Sequence, residues 1–126
     1  MNFKDGLPIY IQIAERLSDE ILAGAYPADG RVPAVREYSA LLEVNVNTTA
    51  KAFDLLVQRG VLYNRRGLGS FVSPDARRLI LETRRREFME RDLPELFRRM
   101  RQLGLSPADL QALWDANGAP PTSEPA

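Results

Sequence analysis

The chain has 126 residues, in which 17 Lys and Arg balance 17 Asp and Glu, with 44% hydrophobic and 27% charged residues. That size holds one domain with at most an appendage, the composition excludes a disordered chain, a uniformly basic coat and an acidic tail protein, and no run approaches the ~20 apolar residues of a membrane span. Cys and His are both absent, which excludes disulfides, Cys or His zinc sites, thiol nucleophiles and imidazole catalysis, and leaves no recognisable catalytic constellation.

The first periodic segment runs from Pro8 to about Ala23, with Tyr10, Ala14, Leu17 and Ile21, joined by Ile13 and Leu22, at helical spacing. Pro8 suits a first helical turn and Gly24 an end. Ala25 to Pro33, with two Pro, a Gly and an Asp, reads as a loop. A short helix over about Ala34 to Leu42 places Val35, Tyr38 and Leu41/Leu42 on one face, and after Glu43, Val44 and Asn45 another helix buries Val46, Thr49, Phe53, Leu56 and Val57. Asn45 is a suitable N-cap for it. Two short helices on so tight a turn cross steeply, as in a helix-turn-helix.

Gly60 ends that helix, and the period falls to about two. Val61-Leu62-Tyr63 and Ser70-Phe71-Val72 are β-prone runs around Arg65-Arg66-Gly67-Leu68-Gly69, which reads as a β-hairpin with a basic, glycine-bearing tip closed by Pro74. From Ala76 to about Leu103 the chain is Arg-rich and helical, with Met89, Leu93, Leu96, Met100 and Leu103 in a narrow seam of the kind that pairs helices. Pro94 predicts a kink or break just before it. Ser106, Pro107 and Asp109 open a final helix carrying Leu110, Leu113 and Trp114. The stretch from Gly118, with three Pro, reads as a disordered tail.

The fold expected is therefore mostly α with a small β-hairpin: a winged helix-turn-helix over 1–74, a helical region over 75–117 and a tail over 118–126. Charge follows this division. Residues 30–73 carry a net +3, from Arg31, Arg36, Lys51, Arg59, Arg65 and Arg66 against Glu37, Glu43 and Asp54, whereas residues 1–29 carry −3. In a helix-turn-helix the start of the second helix enters the major groove of DNA. That surface is Asn45, Asn47, Thr48 and Lys51, with Arg36 directed at the same groove; Arg65, Arg66, Gly67 and Gly69 of the hairpin tip reach the minor groove or backbone. Asn45 is a cap before it is a base reader, and Tyr10 and Gln12 support the fold. The Arg84-Arg85-Arg86 run reads as a solvated face, partly paired with Glu82, Glu87 and Glu90.

The segments PIYIQIAERLSDEILAGAY and VPAVREYSALLEVNVNTTAKAFDLLVQRGVLYNRRGLGSFV, from Pro8 to Val72, resemble the GntR family of bacterial transcription regulators. The resemblance rests on Pro8-Ile9-Tyr10 with Gln12, Pro33 with Arg36 and Glu37, Val44-Asn45 with Asn47-Thr48, Gly60, and Gly67 and Gly69 followed by Phe71-Val72. The short remainder fits the YtrA-like subfamily, which implies two C-terminal helices used for dimerisation and a homodimeric repressor on an inverted-repeat operator; the lack of an apolar span and of a signal-peptide core at the start points to the cytoplasm. The resemblance also implies DNA contact through Arg36 and the wing glycines. Ala34 stands where the family usually has Ser, Val46 where Pro or Arg is common, and Ala50 where many members carry Arg, so one or two usual DNA contacts are missing.

The apolar residues assigned to the dimer interface are Phe88, Leu93, Leu96, Phe97, Met100, Leu103, Leu110, Leu113 and Trp114. They could also line a small-molecule effector pocket, but an apolar stripe at helical spacing is more commonly a dimer core, and no effector, cofactor or metal is indicated. The rival reading is a winged-helix protein-interaction adaptor with weak, non-specific DNA affinity, since fold alone does not fix function.

Overall fold

The computed structural model describes residues 3 and 6–118, which fall into two compact units, Met1–Arg84 and Arg85–Ala126. The tail expected over 118–126 lies, apart from Gly118, outside the described residues.

In the first unit, α1 spans Ile9–Leu22, α2 Val35–Leu42 and α3 Val46–Gln58, followed by strands β1 (Leu62–Arg65) and β2 (Gly69–Val72) and the start of α4 (Ala76–Glu87). Pro8 caps α1 from outside the helix, its carbonyl accepting from the N–H groups of Ile11 and Gln12. The apolar faces of the three helices meet in one core with Val61, Leu62 and Val72 of the hairpin and Ala76 and Ile80 of α4. Ala52 belongs to that core, while Leu41, expected to share the buried face of α2, is 67% exposed. Leu42 takes the inward position instead.

Buried polar groups are satisfied locally. Tyr38, with its ring tilted against Phe53 at 5.9 Å, donates its hydroxyl to Glu20 Oε1 at 2.9 Å. Burial, then the bond to the Glu20 carboxylate, pushes the phenol well above its ordinary range. Ser39 Oγ donates to the Val35 carbonyl, and Gln12 Nε2 to that of Leu7.

Glu43, in the left-handed region at φ 57°, stops α2, and the Val44 N–H turns back to the Ser39 carbonyl. Asn45 then starts α3, its Oδ1 accepting from the Asn47 N–H at 2.7 Å. Ala34 occupies the N-cap of α2 without a side-chain acceptor, although Glu37 Oε1 accepts the Ala34 N–H at 2.9 Å. Half of a reciprocal capping box is thus in place. Ala34→Ser should complete it and raise stability by ~1 kcal/mol, read as a higher urea midpoint at unchanged slope. An unchanged midpoint would show that the missing hydroxyl costs α2 nothing.

The segment before α2, read from sequence as a loop, is partly strand-like. Arg31 bridges Phe71, Val32 N–H donates to the Ser70 carbonyl, and Val72 N–H donates to that of Gly30. The segment is too short and too rich in Pro to show a period of two, so the pairing appears only when β2 is beside it.

The second unit continues α4 through a π-helical turn, Phe88–Asp92, into α5 (Leu93–Leu103), and ends with α6 (Pro107–Ala116). The widened turn lies where Pro94 predicted a break. Pro94 has no N–H for the Glu90 carbonyl and its ring would crowd that group in an α-helix; the Leu93 N–H accordingly reaches back to Phe88. Ser106 caps α6, with Asp109 reciprocating.

The Arg84-Arg85-Arg86 run departs from its expected pairing. Arg84 donates to the Glu15 carbonyl at 3.1 Å and pairs with Asp19 at 2.7 Å, tying α4 to α1. Glu82 instead pairs with Arg78, and Glu87 with Arg91. The competing partners lie on α1, sixty-odd residues away in sequence, where local spacing carries no information.

Candidate nucleic-acid interface

All the candidate DNA-contact residues lie in the first unit. The Asn45 cap orders the first turn of α3, on which Asn47 is exposed and Thr48 half-buried, with exposed Lys51 one turn on. Thr49, between them, is turned inward and fully buried. The first turn of α3 therefore presents short polar side chains from a backbone held by its cap and by the core beneath it.

Lys51 has a partner that the linear sequence does not suggest: its Nζ lies 4.2 Å from the centre of the Tyr10 ring on α1. Tyr10 thus borders the surface of α3 as well as packing against the core. Arg36 stands in the first turn of α2, exposed, and among the described residues its side chain makes no hydrogen bond or ion pair. Because α2 packs against α3, the two faces belong to one rigid helix pair.

The hairpin supplies the second element. Its register pairs Leu62 with Val72, Tyr63 with Phe71, Asn64 with Ser70 and Arg65 with Gly69. The Tyr63 and Phe71 rings stack at 5.7 Å, and Ser70 Oγ donates to Asn64 Oδ1 at 2.6 Å. The tip closes with the Leu68 N–H donating to the Arg65 carbonyl, around Gly67 at φ 76°. That conformation suits glycine because a side chain there is strained. The Arg65 guanidinium lies 5.8 Å from the Phe71 ring centre, and Arg66 projects from the tip, exposed.

By sequence alone Arg31 is one basic charge among six in its segment, with no place in the site. The structure puts it against the wing, with its Nε donating to the Leu68 carbonyl at 2.9 Å. Asp29, two residues before, accepts the Tyr63 hydroxyl at 2.7 Å. That bond to a carboxylate raises the Tyr63 phenol above its ordinary range. The only signal in the sequence was the position of Arg31 between Gly30 and Val32, which has no meaning until this segment pairs with β2.

The residues assigned to a dimer interface lie in the second unit. Phe88, Phe97, Leu103, Leu110, Leu113 and Trp114 are exposed, Leu96 is 37% exposed and Leu93 is half-buried. Met100 alone of the set is buried within the single chain. Leu96, Met100 and Leu103 line a groove of about 420 Å3 with Asp92, Glu95, Arg99 and Leu105. Met89, read from sequence as part of the helix-pairing seam, is exposed as well, and Leu105, exposed and apolar, extends the surface beyond the residues read from sequence. Glu95 pairs with Arg98, which holds its carboxyl below the usual range.

Comparisons with known proteins identify the family and the fold. The model for bacterial regulatory proteins of the gntR family matches residues 9–72, just over half of the chain. The chain is 30% identical over 79 residues to the HTH-type transcriptional repressor YtrA of Bacillus subtilis, covering 63% of this chain and 61% of that protein. A GntR-family transcriptional regulator of Bacteroides thetaiotaomicron superposes with a TM-score of 0.77 at 37% identity, over 86% of this chain and 94% of its own. The DNA-binding domain of AraR in complex with operator ORX1 superposes with a TM-score of 0.53 at 32% identity, over 57% of this chain and 93% of its own. Among the described residues, no helix is long and apolar enough to cross a membrane.

Proposed function

We propose that this chain, which belongs to the gntR family of bacterial regulatory proteins and by that membership is a DNA-binding transcription regulator, acts as a homodimeric repressor on an inverted-repeat operator. The observation that carries this reading is the capped first turn of α3 with Asn47 exposed, on the same unit as a basic wing and as Arg36, which has no hydrogen-bond or ion-pair partner among the described residues. A helix-turn-helix uses such a turn to read base edges in the major groove, while the wing holds the adjacent backbone. Repression is supported by the likeness to YtrA, a transcriptional repressor, and an operator as target by the likeness to the AraR DNA-binding domain bound to operator ORX1.

In this reading residues 1–74 bind DNA, with the first half of α4 completing their core, and residues 75–117 carry the dimer contacts. Arg36 and Asn47 are the base readers; Thr48, Lys51, Arg65 and Arg66 hold phosphates; Gly67 and Gly69 let the wing backbone approach closely. The exposed apolar side chains of α5 and α6 support self-association, because a surface of that kind on a small helical unit marks an interaction face. Two copies related by a two-fold axis would place two α3 helices on half-sites about one helical turn apart.

The test is fluorescence anisotropy of the protein on its own promoter fragment and on a scrambled duplex across a salt series. A preference of about a thousandfold or more supports specific regulation. Equal, weak binding with a steep salt slope overturns it in favour of an adaptor with a generic phosphate-binding face. Arg65→Ala should weaken both duplexes by a similar factor and lower the salt slope by ~1 per chain, as expected for one lost phosphate contact. A loss confined to the promoter would make Arg65 a base reader.

A further inference from the structure

We infer that Arg31 is both the brace of the wing and an additional phosphate-binding residue, gripping the DNA backbone end-on through its two terminal nitrogens. The inference rests on the DNA-binding reading above and extends it to a residue outside the helix-turn-helix and outside the hairpin.

Three observations converge on this side chain. Its backbone is fixed, because the segment around it pairs with β2 through the Arg31–Phe71 bridge and the Val32–Ser70 and Val72–Gly30 hydrogen bonds. Its Nε–H is committed to the Leu68 carbonyl at 2.9 Å, at the end of the wing loop. Its guanidinium also lies close against Gly69: a Cβ built on that glycine would stand 2.9 Å from Nε and 3.4 Å from Nη2. Gly69, at φ 113°, is therefore favoured by its backbone conformation, and a Cβ there would also displace the guanidinium beside it.

A guanidinium carries five N–H donors in a planar fork. One is used by Leu68, and among the described residues the four on Nη1 and Nη2 have no hydrogen-bond or ion-pair partner. Arg31 is exposed. With Nε occupied, the side-on approach that uses Nε and one terminal nitrogen is closed, and an anion is left the end-on approach between Nη1 and Nη2. Planar, two-pronged recognition of a phosphate is the interaction for which arginine is best suited. Asp29 fastens the opposite strand through Tyr63, so this one segment holds both strands of the wing while presenting a cation beside them.

The two roles separate by substitution. In Arg31→Gln the amide Nε2 stands where the arginine Nε stood, so the bond to Leu68 survives while the charge is lost; in Arg31→Lys the charge survives and the Nε bond is lost. Each variant of the full chain is titrated by fluorescence anisotropy against the promoter and scrambled duplexes over a salt series, and the amide hydrogen exchange of Leu68 and Gly69 is followed without DNA. Arg31→Gln is expected to keep wild-type exchange but to lower the salt slope by about 0.9 per chain on both duplexes, the value for one phosphate on B-form DNA. Arg31→Lys is expected to keep the slope and to exchange several-fold faster at the wing.

A wild-type slope in Arg31→Gln overturns the phosphate contact, and unchanged exchange in Arg31→Lys overturns the brace. If the wild-type chain binds neither duplex, the DNA-binding reading has failed and the phosphate contact falls with it, whereas the exchange comparison still decides the brace. Because Arg31 is exposed, neither substitution opens a cavity in the core.

Discussion

Phe97→Asp is expected to sediment as a monomer and to lose about 10²- to 10⁴-fold in affinity for the promoter, the factor by which two linked sites exceed one. Phe97 is 43% exposed in the single chain, so the chain by itself tolerates a polar group there. In a dimer that covers this face, the same carboxylate would be buried without a counter-charge, a cost that an apolar interface cannot offset. Each half-site would still be read by one recognition helix, so binding to a single half-site should change little. Sedimentation velocity with a parallel circular dichroism melt checks the result. A variant that keeps its melt and still sediments as a dimer places the self-association surface elsewhere than on α5.

Arg36→Ala is expected to lower promoter affinity by about 1–3 kcal/mol per half-site, roughly five- to 150-fold, while leaving affinity for the scrambled duplex nearly unchanged. Stability should not fall. The side chain is exposed and without a protein partner among the described residues, and a cation in the first turn of a helix faces the positive end of its dipole. An arginine in that place contributes little to α2, so the melt separates a structural role from the proposed contact with DNA. The measurement pairs anisotropy on both duplexes with a urea melt. A loss of stability that accounts for the loss of binding would make Arg36 a structural residue, and an unchanged promoter affinity in a folded variant would remove it from the interface.

Much of the fold was legible in the sequence because its signals are local. The Asn45 cap, the Ser106-Pro107-Asp109 start of α6, the glycines of the wing and the break before Pro94 each act within a few residues of the chain, and each element lies where those residues direct it. The apolar spacing of α1 and α3 likewise identified most of their core faces, with Ala52 missed because alanine carries little weight in a periodicity, and with Val46, expected to be buried, only half-buried at the start of α3 and outside the core.

Leu41 and Leu42 are chemically alike and adjacent, so spacing could not choose between them; the Tyr38 face, packed on Phe53, turns Leu41 to solvent. Helical spacing pairs the Arg84-Arg85-Arg86 run with neighbouring glutamates because an i to i+4 rule sees one helix at a time, whereas the partners of Arg84 lie on α1.

By itself, then, the sequence determined which segments are helix, hairpin and cap, and which residues could face DNA, since those properties follow from backbone preference and side-chain chemistry over a few residues. The tertiary structure alone decided how those residues are held: Lys51 over Tyr10, the Asp29–Val32 segment paired with β2, and Arg31 bonded to the wing. Each of these joins residues more than thirty positions apart, and at such separations only packing against a shared core, not local spacing, brings one side chain to another.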